Sequence, residues 1–552
     1  MSGGDRERWD AIVIGSGLGG LTAAAYLCAA GRRTLVLEAH YVAGGNSQVF
    51  RRRIGDRSYE FDVGIHYIGE CGRDGLITSV LHGVGLAERV VFRPLDPDGY
   101  STLVFPDFTF RVPVGWDRYR ARLIETFPEE VEGVGRVVDI LREVGEEGRR
   151  LQREEIQMRD VATEAPRFLE WGLRPVSELF SAHRLSPRAS AVLLGEQATY
   201  AVRPSKTPVV VQAGISHHFL RGAFYPEGGG QVMAGRMIEA IRAYGGEVRT
   251  RSPVTRIRVE KGRVAGVVLG KTGEEIDANV VVSNADLKRT ILDLVGASHF
   301  APATVERVRS FRMATPLFCV YLGLDVDLAA LGIPNSNHFF LGTYDIEGLY
   351  DRIDAGEIPA DTVAYVTAAT LKDPVSRHFA PKGYSNLQIM TLAPGSHEIW
   401  NVDRSPVEGG RYHRDPEYRR RKRQVMDQMI ATAERVMPGI GEHIDWKEAA
   451  SPVTQERFTR STGGTSYGIA LSTDQVGPFR IGPATEIPGL FLCGASAPSG
   501  PGIAGVMRGG VSAAGAVLEV DLLRMVLEGR ILGDVNRLPE IRPEWDAWRE
   551  SH

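Results

Sequence analysis

The chain has 552 residues, 43% of them hydrophobic and 24% charged, which allows three or four domains or one large composite fold and excludes disordered, collagen-like and disulfide-stapled classes. A net charge of −4 supplies no global field toward nucleic acid, so no nucleic-acid partner is expected. Cys28, Cys71, Cys319 and Cys493 are far apart with no CxxC among them, which argues for free thiols in a reducing compartment and against a zinc site; no metal is expected.

The opening MSGGDRERWD has mixed charge and no apolar stretch behind a basic one, and no uncharged apolar run reaches the roughly 18 residues of a spanning helix. The protein is therefore expected to be cytoplasmic, either soluble or membrane-associated from one side. Residues 10–15 (DAIVIG) predict a short buried strand, 21–30 a helix of small residues closed by Gly31, and 33–38 (RTLVLE) a second buried strand. A strand, a glycine turn (GSGLGG), a helix and a strand within about 30 residues imply a parallel sheet. Beyond about residue 95 the pattern turns to polar amphipathic helices, 128–157 and 166–186, which read as an inserted helical region. From Tyr225 a glycine turn feeds a helix, followed by short strands with turns at Lys261-Gly262 and Thr272-Gly273 that belong with the first domain. Residues 318–324, 362–370 and 385–392 are β-like and precede a long helix over 416–437. The tail, GLFLCGASAPSGPGIAGVMRGG, again places a Gly/Pro/Ser turn between a strand and a helix rich in small residues.

In the first turn Gly15 permits the tight bend, Gly17 leaves room for a pyrophosphate and Gly20 lets the helix pack on the sheet, with the helix N-terminus toward the phosphates. Glu38 ends the second strand, where its carboxylate can accept from both ribose hydroxyls and would repel a 2′-phosphate. That favours FAD or NAD over NADP. A second glycine pair, Gly44-Gly45, follows at once in EAHYVAGGNS.

This arrangement resembles the flavin amine oxidase and phytoene desaturase superfamily and favours FAD. The blocks FDVGIHYIG (61–69), GAFYPEGGGQ (222–231), VVVSNAD (280–286) and the C-terminal turn resemble its retinol saturase and carotenoid isomerase branch. The resemblance implies an α/β fold: a Rossmann-like FAD domain of the glutathione reductase type, a second α+β substrate domain and a helical insertion. In chain order these are FAD domain (1–95), helical insertion or substrate lid (96–221), FAD domain (222–297), substrate domain (298–460) and FAD domain with tail (461–552). It places Gly15, Ser16, Gly17, Gly19 and Gly20 at the pyrophosphate, Glu38 and Ala39 at the adenosine ribose, and Gly44, Gly45 and Asn46 near ribose and phosphates. Val254 meets adenine, Asn284 lies in the VVVSNAD contact, Gly494 and Ala495 form the ribityl turn, and Ile503, Ala504, Gly505 and Val506 lie under the flavin's pyrimidine edge. Where many flavoproteins carry an acidic residue, this ribityl turn has Ala495.

His66 and Tyr67 fall, by the same resemblance, beside the isoalloxazine ring, where a near-neutral imidazole could move a proton. The implied activity is FAD-dependent saturation, desaturation or isomerisation of carbon-carbon bonds in a long apolar polyene or isoprenoid, a hydrophobic small-molecule substrate. Two rivals share the fold, a flavin amine oxidase and a prenyl-lipid carrier resembling Rab GDP-dissociation inhibitors. His217-His218 lacks further ligands at metal spacing and reads as structural. The basic run 419–423 and the group Trp171, Leu173, Leu179 and Phe180 suit a peripheral membrane contact, and equally a solvated helix face and core packing.

Overall fold

The computed structural model describes residues 7–359 and 362–552. Five short strands form a parallel sheet in the order Glu247–Arg249, Thr34–Leu37, Ala11–Ile14, Val281–Ser283 and Leu490–Leu492. Three distant parts of the chain thus build one nucleotide-type domain. Its central strands AIVI, TLVL and VVS are buried throughout and show no polar alternation, as a sheet covered on both faces requires.

The helix Leu18–Ala29 starts directly from the first glycine turn and is buried over eleven of its twelve residues. It ends where Gly31 takes φ +81°, a left-handed stop that lets the Arg32 amide reach back to the Leu27 carbonyl at 2.9 Å. Against it lies the C-terminal helix Ile503–Leu518. A β-carbon on Gly510 would come 2.3 Å from the Gly19 carbonyl oxygen, so the close approach of these two helices requires glycine there. A second, four-stranded sheet contains the meander Val254–Glu260, Arg263–Leu269 and Glu275–Ala278, with Lys261 and Gly262 both at positive φ in its first turn.

The other large layer is a seven-stranded sheet, ordered Ile444–Ala450, Leu317–Leu324, Ser385–Leu392, Val363–Thr367, Asn337–Leu341, Ser101–Val104 and Thr109–Val112. The region expected as a helical insertion therefore begins with two strands at the edge of this sheet. Its helices follow: Trp116–Thr126, Val131–Gln152 and several shorter ones that enclose the same apolar core. The helix expected over 128–157 is shorter, and that expected over 166–186 is two pieces, Pro166–Trp171 and Val176–Ala182, separated at Pro175. Strand 362–370 also ends early, at Thr367, and turns into the short helix Ala369–Lys372. The helix expected over 416–437 ends at Ala433.

The suggested membrane-facing group is mostly core: Trp171, Leu179 and Phe180 are buried, and only Leu173 is exposed. Within the basic run, Arg420 pairs with Glu417 at 2.6 Å and Arg421 donates to the Ile399 carbonyl, while Arg419, Arg420 and Arg423 are exposed. No helix among the described residues is long and apolar enough to cross a membrane.

Candidate functional site

The parallel sheet's turns and the inner face of the seven-stranded sheet enclose one cavity of about 580 Å³. At the nucleotide end its wall carries Gly15, Gly17, Gly19, Glu38, Ala39, Gly44, Gly45, Asn46, Val254 and Asn284. Toward the other end it carries Gly494, Ala495, Ile503, Val506, His66 and Tyr67. Most residues expected to act together are thus brought to one surface from five separate stretches of chain.

Four are not on it. Ser16 is fully buried behind Glu38: its amide and hydroxyl donate to Glu38 Oε2 at 2.9 and 2.6 Å, and its hydroxyl accepts from the Gly44 amide at 3.1 Å. The His40 amide donates to the other carboxylate oxygen at 2.7 Å. Ser16 therefore orients the Glu38 carboxylate and ties it to the second glycine loop. Gly20 packs inside the turn, where a β-carbon would meet the Gly15 carbonyl at 2.2 Å. Ala504 packs against the domain core, and Gly505 fits against the Ser499 and Gly500 carbonyls. These two residues lie in the helix start but off the wall.

The glycines form an interlocked cradle. At Gly45, φ is +57° and an added β-carbon would come 2.9 Å from the Gly17 α-carbon, so the two turns close against each other. Asn284 fills the space between the first turn and the last: β-carbons on Gly17, Gly19 or Gly494 would lie 2.8, 2.7 or 2.9 Å from its amide group. This gives Gly17 a packing reason beside the expected phosphate one. Asn46 is fixed from across the cavity, its Oδ1 accepting from Gln455 at 2.7 Å. A carboxylate at a strand end, paired glycine turns and the starts of two helices form a donor set that fits an adenine dinucleotide.

Two wall cations lacked any motif. Arg289 pairs with Glu456 at 3.0 Å, and Arg460, itself at φ +58°, lies on the cavity wall, where the Glu38 carboxylate favours its charge. Burial lowers the Arg460 pKa.

At the far end the wall is mostly aromatic and aliphatic, with Tyr67, Ile215, Phe219, Leu317, Cys319, Tyr365, Met390 and Tyr467 beside the imidazoles of His66 and His218. Tyr67 stacks on Phe219 with ring centroids 4.0 Å apart, and Tyr365 stacks on Phe339 at 4.4 Å. Among the described wall residues the carboxylates are Glu38, Asp286 and Asp293, all on the nucleotide side.

Behind this wall lie buried polar groups. The Tyr67 hydroxyl donates to Glu196 Oε1 at 2.8 Å, and Glu196 also accepts from Ser101 at 2.7 Å and Tyr100 at 3.2 Å. Burial raises the pKa of both Tyr67 and Glu196. His66 is buried, with no hydrogen-bond partner for Nε2, and burial with the nearby Lys372 charge pushes its pKa down to about 3. The near-neutral titration expected for this imidazole is therefore not what its surroundings produce. Lys372 donates to the His66 carbonyl and the Thr367 hydroxyl, and burial lowers its pKa to about 7.

The motif blocks meet one another. Ile68 and Phe224 exchange backbone hydrogen bonds at 2.8 and 2.7 Å, while Asp62 accepts from the Tyr225 hydroxyl and, at 2.8 Å, from the Gly230 amide. GAFYPEGGGQ is thus a buttress for the segment carrying His66 and Tyr67. Both adjacent histidines are engaged: Trp116 donates to His217 at 3.2 Å and the Gly69 amide to His218 at 2.7 Å, and His218 also lies on the cavity wall.

Comparison with known proteins agrees with this geometry. Residues 18–341 match the family model described as flavin containing amine oxidoreductase. An all-trans-retinol 13,14-reductase from Macaca fascicularis is 27% identical over 94% of this chain and 86% of its own. Prolycopene isomerase 1 from an Oncidium hybrid cultivar is 28% identical over 96% of this chain and 87% of its own. The solved structure of cyclohexylamine oxidase from Brevibacterium oxydans superposes with a TM-score of 0.57 at 15% identity, covering 93% of this chain and 99% of that one.

Proposed function

The chain belongs to the family of flavin containing amine oxidoreductases, and from that membership we propose that it holds FAD and acts on the carbon-carbon bonds of an apolar polyene of retinoid or carotenoid type. FAD would be held with Val254 at adenine, Glu38 and Ala39 at ribose, the two glycine loops at the phosphates and the 494–506 turn at the ribityl chain and ring, a reading supported by all of these segments lining one cavity. FAD, when bound, supplies hydride exchange with the substrate carbon.

One observation carries the choice of substrate. The far end of the cavity is walled by stacked aromatics and aliphatic side chains and, among the described residues, presents no carboxylate to an ammonium group. A polyene gains from such a wall by burial of apolar surface, whereas an amine would lose its hydration without a charged partner. The names of the full-length relatives, a retinol reductase and a prolycopene isomerase, support the same class.

The chain's own residues then divide the work. Tyr67 holds a proton at its hydroxyl, with Glu196 fixing that hydroxyl's direction. His66, kept neutral, shapes the wall and leaves Nε2 without a protein partner. The surrounding aromatics exclude water from the reacting carbons. Purified holoenzyme incubated with retinoids, carotenoids and primary amines tests the reading by chromatography and mass spectrometry. Conversion of a polyene, with two hydrogens gained, two lost or mass unchanged, is expected; amine oxidation with every polyene untouched would overturn it.

A further inference from the structure

Arg480 has no place in the site described above, yet it is 3% exposed and bound directly to the wall segments of that site. Its Nε donates to the Gln475 carbonyl at 2.8 Å, Nη1 to Ala495 at 2.9 Å and Ala497 at 3.2 Å, and Nη2 to Ile469 at 2.5 Å and Ala470 at 3.4 Å. All five acceptors are neutral carbonyl oxygens, and among the described residues no carboxylate pairs with this guanidinium. Burial alone acts on its ionisation, lowering the pKa to about 10, so the group stays charged at neutral pH.

The two segments it joins reach the cavity. Gly468, Ala495 and Ser496 are on the wall, and Ser496 Oγ accepts from the Ile469 amide at 3.3 Å. Neutral donors could satisfy these carbonyls equally well. What a guanidinium adds is a positive charge left uncompensated in a low-dielectric setting, where its field reaches further than in water.

We propose that Arg480 is an electrostatic positioning residue for the flavin, its unneutralised cation behind the 494–497 turn favouring the reduced cofactor over the oxidised one. The proposal rests on the reading that FAD lies against this turn. When the neutral oxidised ring takes up a hydride, two electrons and one proton, it gains one negative charge, which a fixed nearby cation stabilises. In the test described next, dithionite supplies the electrons.

The measurement is the midpoint potential of the bound flavin, by anaerobic dithionite titration against a reference dye, for wild type, Arg480→Gln and Arg480→Lys. That potential reports the ratio of affinities for reduced and oxidised FAD, so a purely structural role, which weakens both alike, leaves it unmoved. Arg480→Gln is expected to shift the ratio against the reduced form about tenfold or more, at 29.6 mV per tenfold for a two-electron couple. Arg480→Lys, which keeps the charge, should stay within about threefold of wild type. An unchanged potential in a flavin-loaded Gln variant, or an equal fall in the Lys variant, would overturn the proposal. If the Gln variant does not fold, the wild type decides: it should bind reduced FAD at least as tightly as oxidised FAD, and a potential below that of free FAD would refute the claim. A wild type that takes up no FAD would instead sink the cofactor reading beneath it.

Discussion

His66 and Tyr67 are neighbours in the chain with opposite chemical surroundings. Tyr67 has a carboxylate to direct its hydroxyl, and His66 has an unpaired nitrogen and a buried lysine behind it. The motif FDVGIHYIG located both, but motif and spacing carry no record of Glu196 or Lys372, which arrive from residues more than a hundred positions away. Removal of the Tyr67 hydroxyl in Tyr67→Phe should leave FAD bound and slow turnover by about 100-fold or more, within the usual range for general acid or base groups. His66→Gln should cost less than about tenfold and leave the pH profile between 6 and 9 unchanged, because an imidazole with a pKa near 3 does not titrate there. Steady-state kcat against pH for both variants checks this; a lost limb in His66→Gln would restore the histidine as proton carrier. Lys372 gives a stability prediction. Its folded pKa is depressed from 10.5 to about 7, so between those values the unfolded chain binds more protons and stability rises with pH. Relative to Lys372→Met, the wild type should gain roughly 3 kcal/mol between pH 7 and 9.5, read from denaturant midpoints at both pH values. A constant difference would show that the lysine is not held neutral.

Among the elements, the fingerprint helix and its flanking strands were legible because local signals agree: a buried apolar run, a glycine turn, a small-residue helix and a glycine stop. The strands Ser101–Val104, Thr109–Val112 and Asn337–Leu341 were not: all three are short, Ser101–Val104 and Asn337–Leu341 pair with each other from opposite parts of the chain, and Thr109–Val112 is only the hairpin return from Ser101–Val104. The last residues carried no signal either, yet they strap the second glycine loop. Arg236 lies 3.6 Å over the Trp545 ring, the Ala43 amide donates to the Ser551 carbonyl at 2.8 Å, and Gln231 bridges the Ser551 hydroxyl and the Ala43 carbonyl, both at 2.8 Å. The strap therefore holds the residue immediately before Gly44-Gly45. Deleting residues 545–552 should weaken FAD binding about tenfold or more, the loss of one or two buried hydrogen bonds, while leaving the protein folded. Fluorescence titration of apoprotein with FAD measures it, and unchanged affinity would remove the strap from the cofactor site.

At the scale of the whole molecule, the glycines of the cavity's nucleotide half could be read from sequence because Gly15, Gly17, Gly19, Gly44 and Gly45 cluster in two short turns, whereas its cations Arg289 and Arg460 could not. Nor could the substrate half. Phe219, Tyr365, Met390 and Tyr467 come from a helix, two sheet strands and a loop, and only the packing of the seven-stranded sheet over the parallel one brings them to a common wall. The functional reading depends on that wall, and a single-turnover experiment tests it most directly. Holoenzyme in its oxidised and in its dithionite-reduced state is mixed anaerobically with a retinoid or carotenoid while flavin and polyene absorbances are followed together. The polyene spectrum is expected to shift in one of the two states, at one equivalent of flavin or catalytically with the flavin unchanged. Polyene spectra that stay constant in both states, while a primary amine bleaches the oxidised flavin, would contradict it.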